Sequence, residues 1–404
     1  MTNSMSDDIL TIKIITPMML GGPAPGRTIK CQPRTQLIPA LRGELRWWWR
    51  AMVGPLAGND RNLLQSLEAT LFGSALNDKQ GRQSPIRMRL LCEPRYENVE
   101  PGKLPEFANE ANGKWVRYLL GPGLIGREER GSGKVNVFNR SRYIPPNNTF
   151  TVGVRFASSE CEIRELFGAL LWVVNRWGGL GARSRRGFGA IEVRWPNGPI
   201  PTTDSFDTIV QQTQETLGET PGIRLGPQLP ESAASQYPQF RQGHFWEKTV
   251  AFSQTPLAAL AEMGERWRHH RASQHAPGAN YFPQRKTPEW LNVVSPAIHR
   301  RAAPNQPFGL GALGMPIQFE KTIGVTVVDA ADKPLRLASP VRFKPTSAPS
   351  GTFMRIVGFA TQPCPPDGHV QARGSTRQVN LALPYGVVQK RVQDAVNALP
   401  KRIV

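Results

Sequence analysis

From Ile163 to Trp177 an apolar side chain returns every three or four positions: Ile163, Leu166, Phe167, Leu170, Val173, Val174 and Trp177. That period belongs to an α-helix with one continuous apolar stripe, which has to be covered by something. Gly178 follows it, suited to the position just past a helix end where the backbone turns left-handed. The chain does not then relax into a polar loop. It runs GGLGARSRRGFG, Gly178–Gly189, three arginines framed by five glycines, and passes directly into FGAIEVRW, where Gly189, Ile191, Val193 and Trp195 share one face of a strand. A helix, a basic turn and a strand in immediate succession call for a fold in which helices pack on a sheet.

The preceding residues supply the rest of that sheet. ILTIKIIT, Ile9–Thr16, puts Leu10, Ile12 and Ile14 on one face and Ile9, Thr11, Lys13 and Ile15 on the other, before GGPAPG breaks it. IPALRGELRWWWRAMVG predicts a helix with Pro39 in its first turn. Leu41, Leu45, Trp48 and Met52 form its core stripe, and Arg42, Arg46 and Arg50 an adjoining ridge. Trp49 falls near Arg42 on that ridge and is expected to face a partner. IRMRLLCE and FTVGVRF read as strands on either side of a basic insert, 126–147, that carries Lys134, Arg140 and Arg142 and is expected as an exposed loop or hairpin. Strand, helix, strands, helix, turn, strand suits a ferredoxin-like α+β unit over 1–200. Residues 201–242, rich in Thr, Gln, Ser, Pro and Gly, read as a linker. A second α+β region over 243–404 follows, with a helical pattern in LAALAEMGERWRHH, strand-like runs including FGLGALGMPIQF and RLASPVRF, and a closing helix near 389–399.

Charge narrows the function classes. Fifty Lys+Arg against 31 Asp+Glu leave the chain at +19, a balance that speaks to partners rather than to fold. Nucleic acid is the first candidate, through counterion release, and an anionic membrane surface the second. No stretch approaches the ~20 apolar residues that span a bilayer, and MTNSMSDDIL lacks the pattern of a signal peptide, so a cytoplasmic location is expected. Cys31, Cys92, Cys161 and Cys364 lie far apart without a CxxC pair, which gives no basis for a zinc knuckle or a disulfide framework. Around Gly133–Lys134 a phosphate-binding loop motif fails twice, and the glycine turn fails the dinucleotide fingerprint because it leads from helix to strand. His269, His270 and His275 lack the spacing of metal ligands and sit among arginines; no metal, cofactor or catalytic residue is expected. Arginines beside aromatic residues hold single-stranded RNA or DNA by phosphate contact and base stacking. Two other readings remain open: a metal-free ribonuclease using one of these histidines as general acid or base, and a basic scaffold whose arginines meet acidic partners.

TPMMLGG, IPALRGELRWWWRAM and GGLGARSRRGFG, in that order, resemble the signature segments of the RAMP superfamily of CRISPR systems. The tryptophan run, with FGLGALGMPI and RLASPVRF further on, is similar to the family of first subunits of Cmr (type III-B) effector complexes. The resemblance implies two ferredoxin-like (RRM-like) units and a non-catalytic, RNA-binding role. It places such a subunit at the end of the complex holding the 3′ part of the guide RNA, in contact with guide and target RNA. Its neighbours there are the sixth Cmr subunit and the repeated backbone subunit, to which target cutting belongs. Arg42 and Arg46 match the RGxLR motif, with Arg50 one turn on; Gly179, Gly181, Arg183, Arg185, Arg186 and Gly189 match the glycine-rich loop. With Trp49, Phe188, Lys134, Arg140 and Arg142 these make up the expected RNA-binding set. The alternative within the superfamily is a metal-independent endoribonuclease that processes CRISPR RNA.

Overall fold

A computed structural model describes residues 8–400 except 22–33, 75–80, 110–112, 132, 158–160, 203–204, 220–222, 228, 232, 253, 273–286, 301–302, 305 and 350. Cys31, His275 and most of the GGPAPG breaker thus lie outside the described residues. The chain divides into two units: unit 1 is Met1–Leu229, Val250–Glu262 and Phe343–Arg355, and unit 2 is Pro230–Thr249, Met263–Arg342 and Ile356–Val404.

Unit 1 begins with β1 (Asp8–Ile14), α1 (Arg34–Ala57), α2 (Arg61–Phe72) and β2 (Ile86–Cys92). The short β3 (Glu97–Asn98), α3 (Glu106–Asn109) and α4 (Gly113–Leu120) lead to the hairpin β4 (Ile125–Arg130) and β5 (Gly133–Phe138). After β6 (Arg142–Tyr143) come β7 (Thr149–Phe156), α5 (Cys161–Trp177), β8 (Ile191–Arg194) and α6 (Phe206–Glu219). The main sheet has the order β2-β7-β1-β8 and is antiparallel throughout. One face is a dry layer in which Leu10, Ile12, Phe150, Val152 and Val154 are all 0% exposed. Phe156 and Trp195 stack 5.8 Å apart there, and Phe167 of α5 meets both edge-on. The α5 stripe and the Leu41–Leu45–Trp48–Met52 stripe of α1 are buried as their periodicity predicts.

Two features differ from expectation. Helix α1 starts at Arg34, so Pro39 lies inside it rather than in its first turn. The 201–242 stretch is not a plain linker, because α6 buries Ile209, Val210, Thr213 and Leu217. Helical spacing of those four residues outweighs the polar composition around them.

The remaining elements are β9 (Phe245–Phe252), α7 (Pro256–Arg271), β10 (Ile317–Gln318), β11 (Gly324–Val328), β12 (Pro334–Leu335), β13 (Val341–Ala348), β14 (Gly351–Phe359), β15 (His369–Arg373), β16 (Gln378–Leu381) and α8 (Tyr385–Ala398). One sheet runs β10-β11-β15-β16 with β12 beside β11, and a second runs β13-β14-β9. Trp290, Phe308, Phe319, Val325 and Val370 centre the core of unit 2. Gly309–Leu313, within a run read as strand-like, is a 3₁₀ turn, closed by bonds from Gly311 N to Phe308 O and from Gly314 N to Gly311 O.

Candidate nucleic-acid interface

The glycine-rich loop is held in place by its backbone. Gly178 N closes helix α5 on Val174 O at 2.7 Å. Leu180 N then donates to Gly189 O at 2.8 Å, drawing the two ends of the loop together. The residues just past β1 lace it down: Ala182 N reaches Met19 O at 2.7 Å and Gly189 N reaches Pro17 O at 2.9 Å. The Thr16 hydroxyl donates to Gly187 O at 2.6 Å and accepts from Ala190 N at 3.0 Å. TPMMLGG and GGLGARSRRGFG are therefore two strands of one construction. The approach leaves no room for side chains: a Cβ on Gly181 (φ +84°) would lie 2.5 Å from Met19 O, and one on Gly189 (φ +60°) 2.0 Å from Leu180 O.

Helix α1 grips the loop from another side. Glu44, the variable residue of RGELR, accepts from the Trp48 indole at 2.8 Å and from Gly179 N at 3.2 Å. The loop's tip is a 3₁₀ turn, Ser184–Arg186, entered through Arg183 in the left-handed region (φ 66°). Its arginines are all half-buried and fan apart. Arg185 lies 5.9 Å over the Trp47 ring and Arg186 5.8 Å over Phe343. Arg183 lies over the turn after α4, where a Cβ on Gly121 would meet its Nη2 at 3.0 Å. Buried Lys344 donates to Val174 O at 2.9 Å and Asn175 O at 2.6 Å, a cation on the C-terminal carbonyls of α5.

The arginine ridge is partly neutralised from within. Arg46 Nε donates to Glu68 at 2.5 Å and Arg50 lies 3.4 Å from the same carboxylate, their side chains 48% and 44% exposed. Arg42 is half-exposed, one turn before Arg46. Trp49 corrects the sequence reading: it is 0% exposed, its indole donating to Leu67 O at 2.9 Å, because α2 covers the side of α1 that helical geometry alone leaves open. Trp47 is the half-exposed ring instead. Phe188 is a second correction, fully buried and 6.4 Å from Phe107. Gly179 and Gly189 are buried too and shape the loop.

The basic insert forms the β4–β5 hairpin, with exposed Lys134 paired to Glu129 at 3.2 Å. Arg142 lies 5.5 Å over Tyr96, whose hydroxyl pKa is pushed up to about 12, by burial first and then by Glu93. Arg140 reaches the end of the tract that laces the loop, its Nη2 3.6 Å from a Cβ built on Gly21. The structure thus gathers Arg183, Arg185, Arg186 and the α1 motif through Glu44 and Trp47, and places Lys134 and Arg142 on separate small sheets. Sequence reasoning missed Glu44, Trp47, Thr16 and Lys344. Only the Glu44–Trp48 pair, four residues apart on one helix, had a local signal.

In unit 2, His269 and His270 are half-buried on α7. Burial first, then the charge of Arg391, lowers the pKa of His270, with Asp394 opposing; its ring stacks 6.2 Å from Trp267. Among the described residues no three His, Cys, Asp or Glu side chains cluster as metal ligands, and no helix is long and apolar enough to cross a membrane.

Residues 11–192 match the RAMP superfamily. It is similar to two Cmr subunits of Pyrococcus furiosus. Cmr1-2 is 26% identical over 197 residues, 47% of this chain and 96% of that protein. Cmr1-1 is 25% identical over 196 residues, 46% of this chain and 52% of that protein, so the match spans about half of its length. The crystal structure of apo Cmr1 from the same organism shares the fold, with a TM-score of 0.54 over 89% of each chain at 19% identity.

Proposed function

We propose that this chain is the RNA-binding first subunit of a type III-B (Cmr) CRISPR effector complex, acting in the cytoplasm without catalysis of its own. The observation that carries this reading is the laced loop. It presents Arg183, Arg185 and Arg186 from a backbone that cannot collapse, beside the half-exposed Trp47. Guanidinium forks bind phosphate bidentately and a partly open indole offers a stacking surface, the pair of contacts that single-stranded RNA needs. Arg42, Arg46 and Arg50 add a basic ridge along α1, and Arg140, Arg142 and Lys134 add cations elsewhere in unit 1. The net charge of +19 and the likeness to the two Cmr subunits support the same reading.

In the complex, the subunit caps the end holding the 3′ part of the guide, touches guide and paired target, and neighbours the sixth subunit and the repeated backbone subunit. Both halves of the chain then serve as ferredoxin-like units. The three-stranded sheet β13-β14-β9, with β14 central, supports this for the second.

Arg185→Ala with Arg186→Ala tests the reading. Titrating labelled single-stranded RNA over a salt series, we expect at least tenfold weaker binding for every sequence and a salt slope smaller by roughly 1 to 1.5. An unchanged slope would remove the loop from the phosphate contacts.

A further inference from the structure

The main sheet of unit 1 has a second face, and that face is basic. Alternation sends Arg87 and Arg89 of β2, Arg155 of β7, Lys13 of β1, and Glu192 and Arg194 of β8 to the side opposite the dry layer. All four arginines are exposed, the Arg194 side chain at 71%. Glu192 is the single carboxylate among these strand residues, and it already accepts from Arg194 at 2.9 Å. The register sets Arg87 directly opposite Arg155. From that pair to Arg194, which lies level with Thr11 and Thr151, the strip runs diagonally for about 16 Å at ordinary strand spacings.

We infer that this open sheet face is a second RNA-binding surface, one that takes the phosphate backbone of a single strand. The inference rests on the RNA-binding reading of the chain but uses none of the loop's residues. Four of the five cations are arginines, matched to phosphate oxygens, and Arg87 and Arg155 stand opposite each other on neighbouring strands. The residues at the centre, Thr11 and Thr151, offer hydroxyl donors. None of the strand residues on this face is aromatic, so bases are not stacked on them and sequence is not read. An acidic protein partner fits less well, because large exposed apolar residues on these strands are few: Ile9, 51% exposed on β1, and Leu91, 42% exposed on β2.

The experiment compares four full-length proteins: wild type, the loop variant (Arg185→Ala, Arg186→Ala), the sheet variant (Arg87→Gln, Arg155→Gln, Arg194→Gln) and their combination. A fluorescein-labelled uridine homopolymer is titrated over a salt series, and the thermal midpoint is recorded for each. The sheet variant should lose at least tenfold in affinity and lower the salt slope by about 2, with its midpoint unchanged. Loop and sheet losses should add in the combination. A sheet variant that binds like wild type while the loop variant weakens would overturn the inference and leave the RNA reading standing, whether or not an acidic protein partner is lost. Absence of RNA binding by the wild type would overturn the reading itself. As a check independent of any variant, RNA carrying 4-thiouridine should crosslink to peptides containing β2 or β7. Adducts confined to 178–189 would overturn the inference.

Discussion

Gly189→Ala should destabilise unit 1 by about 3 kcal/mol, lowering its thermal midpoint by roughly 6–12 °C. Two effects combine. The residue holds φ +60°, and its new Cβ would meet Leu180 O at 2.0 Å, which is backbone and cannot rotate away. Shifting Leu180 pulls on the Leu180–Gly189 bond and on the Gly189–Pro17 bond together, so the loop loses its anchor to the tract after β1. RNA binding should fall with it, although no arginine, lysine or aromatic residue of the binding set has changed. Gly43→Ala in α1 is the control. Nothing lies within 4 Å of its Cβ position, and alanine there should gain the helix about 1 kcal/mol. Equal midpoints for the two variants would refute the laced loop.

Trp49→Ala should cost about 3–5 kcal/mol, as large-to-small changes in a packed core do. The ring is fully buried and its indole donates to Leu67 O, which also accepts from the Thr70 hydroxyl at 2.7 Å; truncation leaves a cavity and removes one of those bonds. Chemical denaturation measures this directly. A surface stacking residue would behave in the opposite way, leaving stability intact and weakening RNA binding alone. Finding that pattern would reverse the assignments of Trp47 and Trp49.

The Trp49 error shows where sequence reasoning stops. Periodicity put Leu41, Leu45, Trp48 and Met52 on the core face correctly, since one helix against one sheet is a local problem. It cannot see a second layer. Helix α2 buries the next side of α1, so a residue beside the arginine ridge is packed while Trp47 stays half-open. The α5 helix and the basic loop could be read from their spacing and glycines, and β1 and β7 from alternation. Glu44 holding Gly179, Thr16 clamping Gly187 and Lys344 capping α5 could not, because their partners lie 135, 171 and up to 170 residues away in sequence. Phe188 was misread for a related reason: beside three arginines it suggested stacking, but the strand register that follows the loop turns it into the core.

The most direct test of the account incubates the purified chain in EDTA with CRISPR RNA or an unrelated single strand, over a salt series, scoring retention and RNA integrity together. The account predicts that both RNAs are retained at low salt, released as salt rises, and recovered uncut. Site-specific cutting of the CRISPR RNA would contradict it and move attention to His269 and His270.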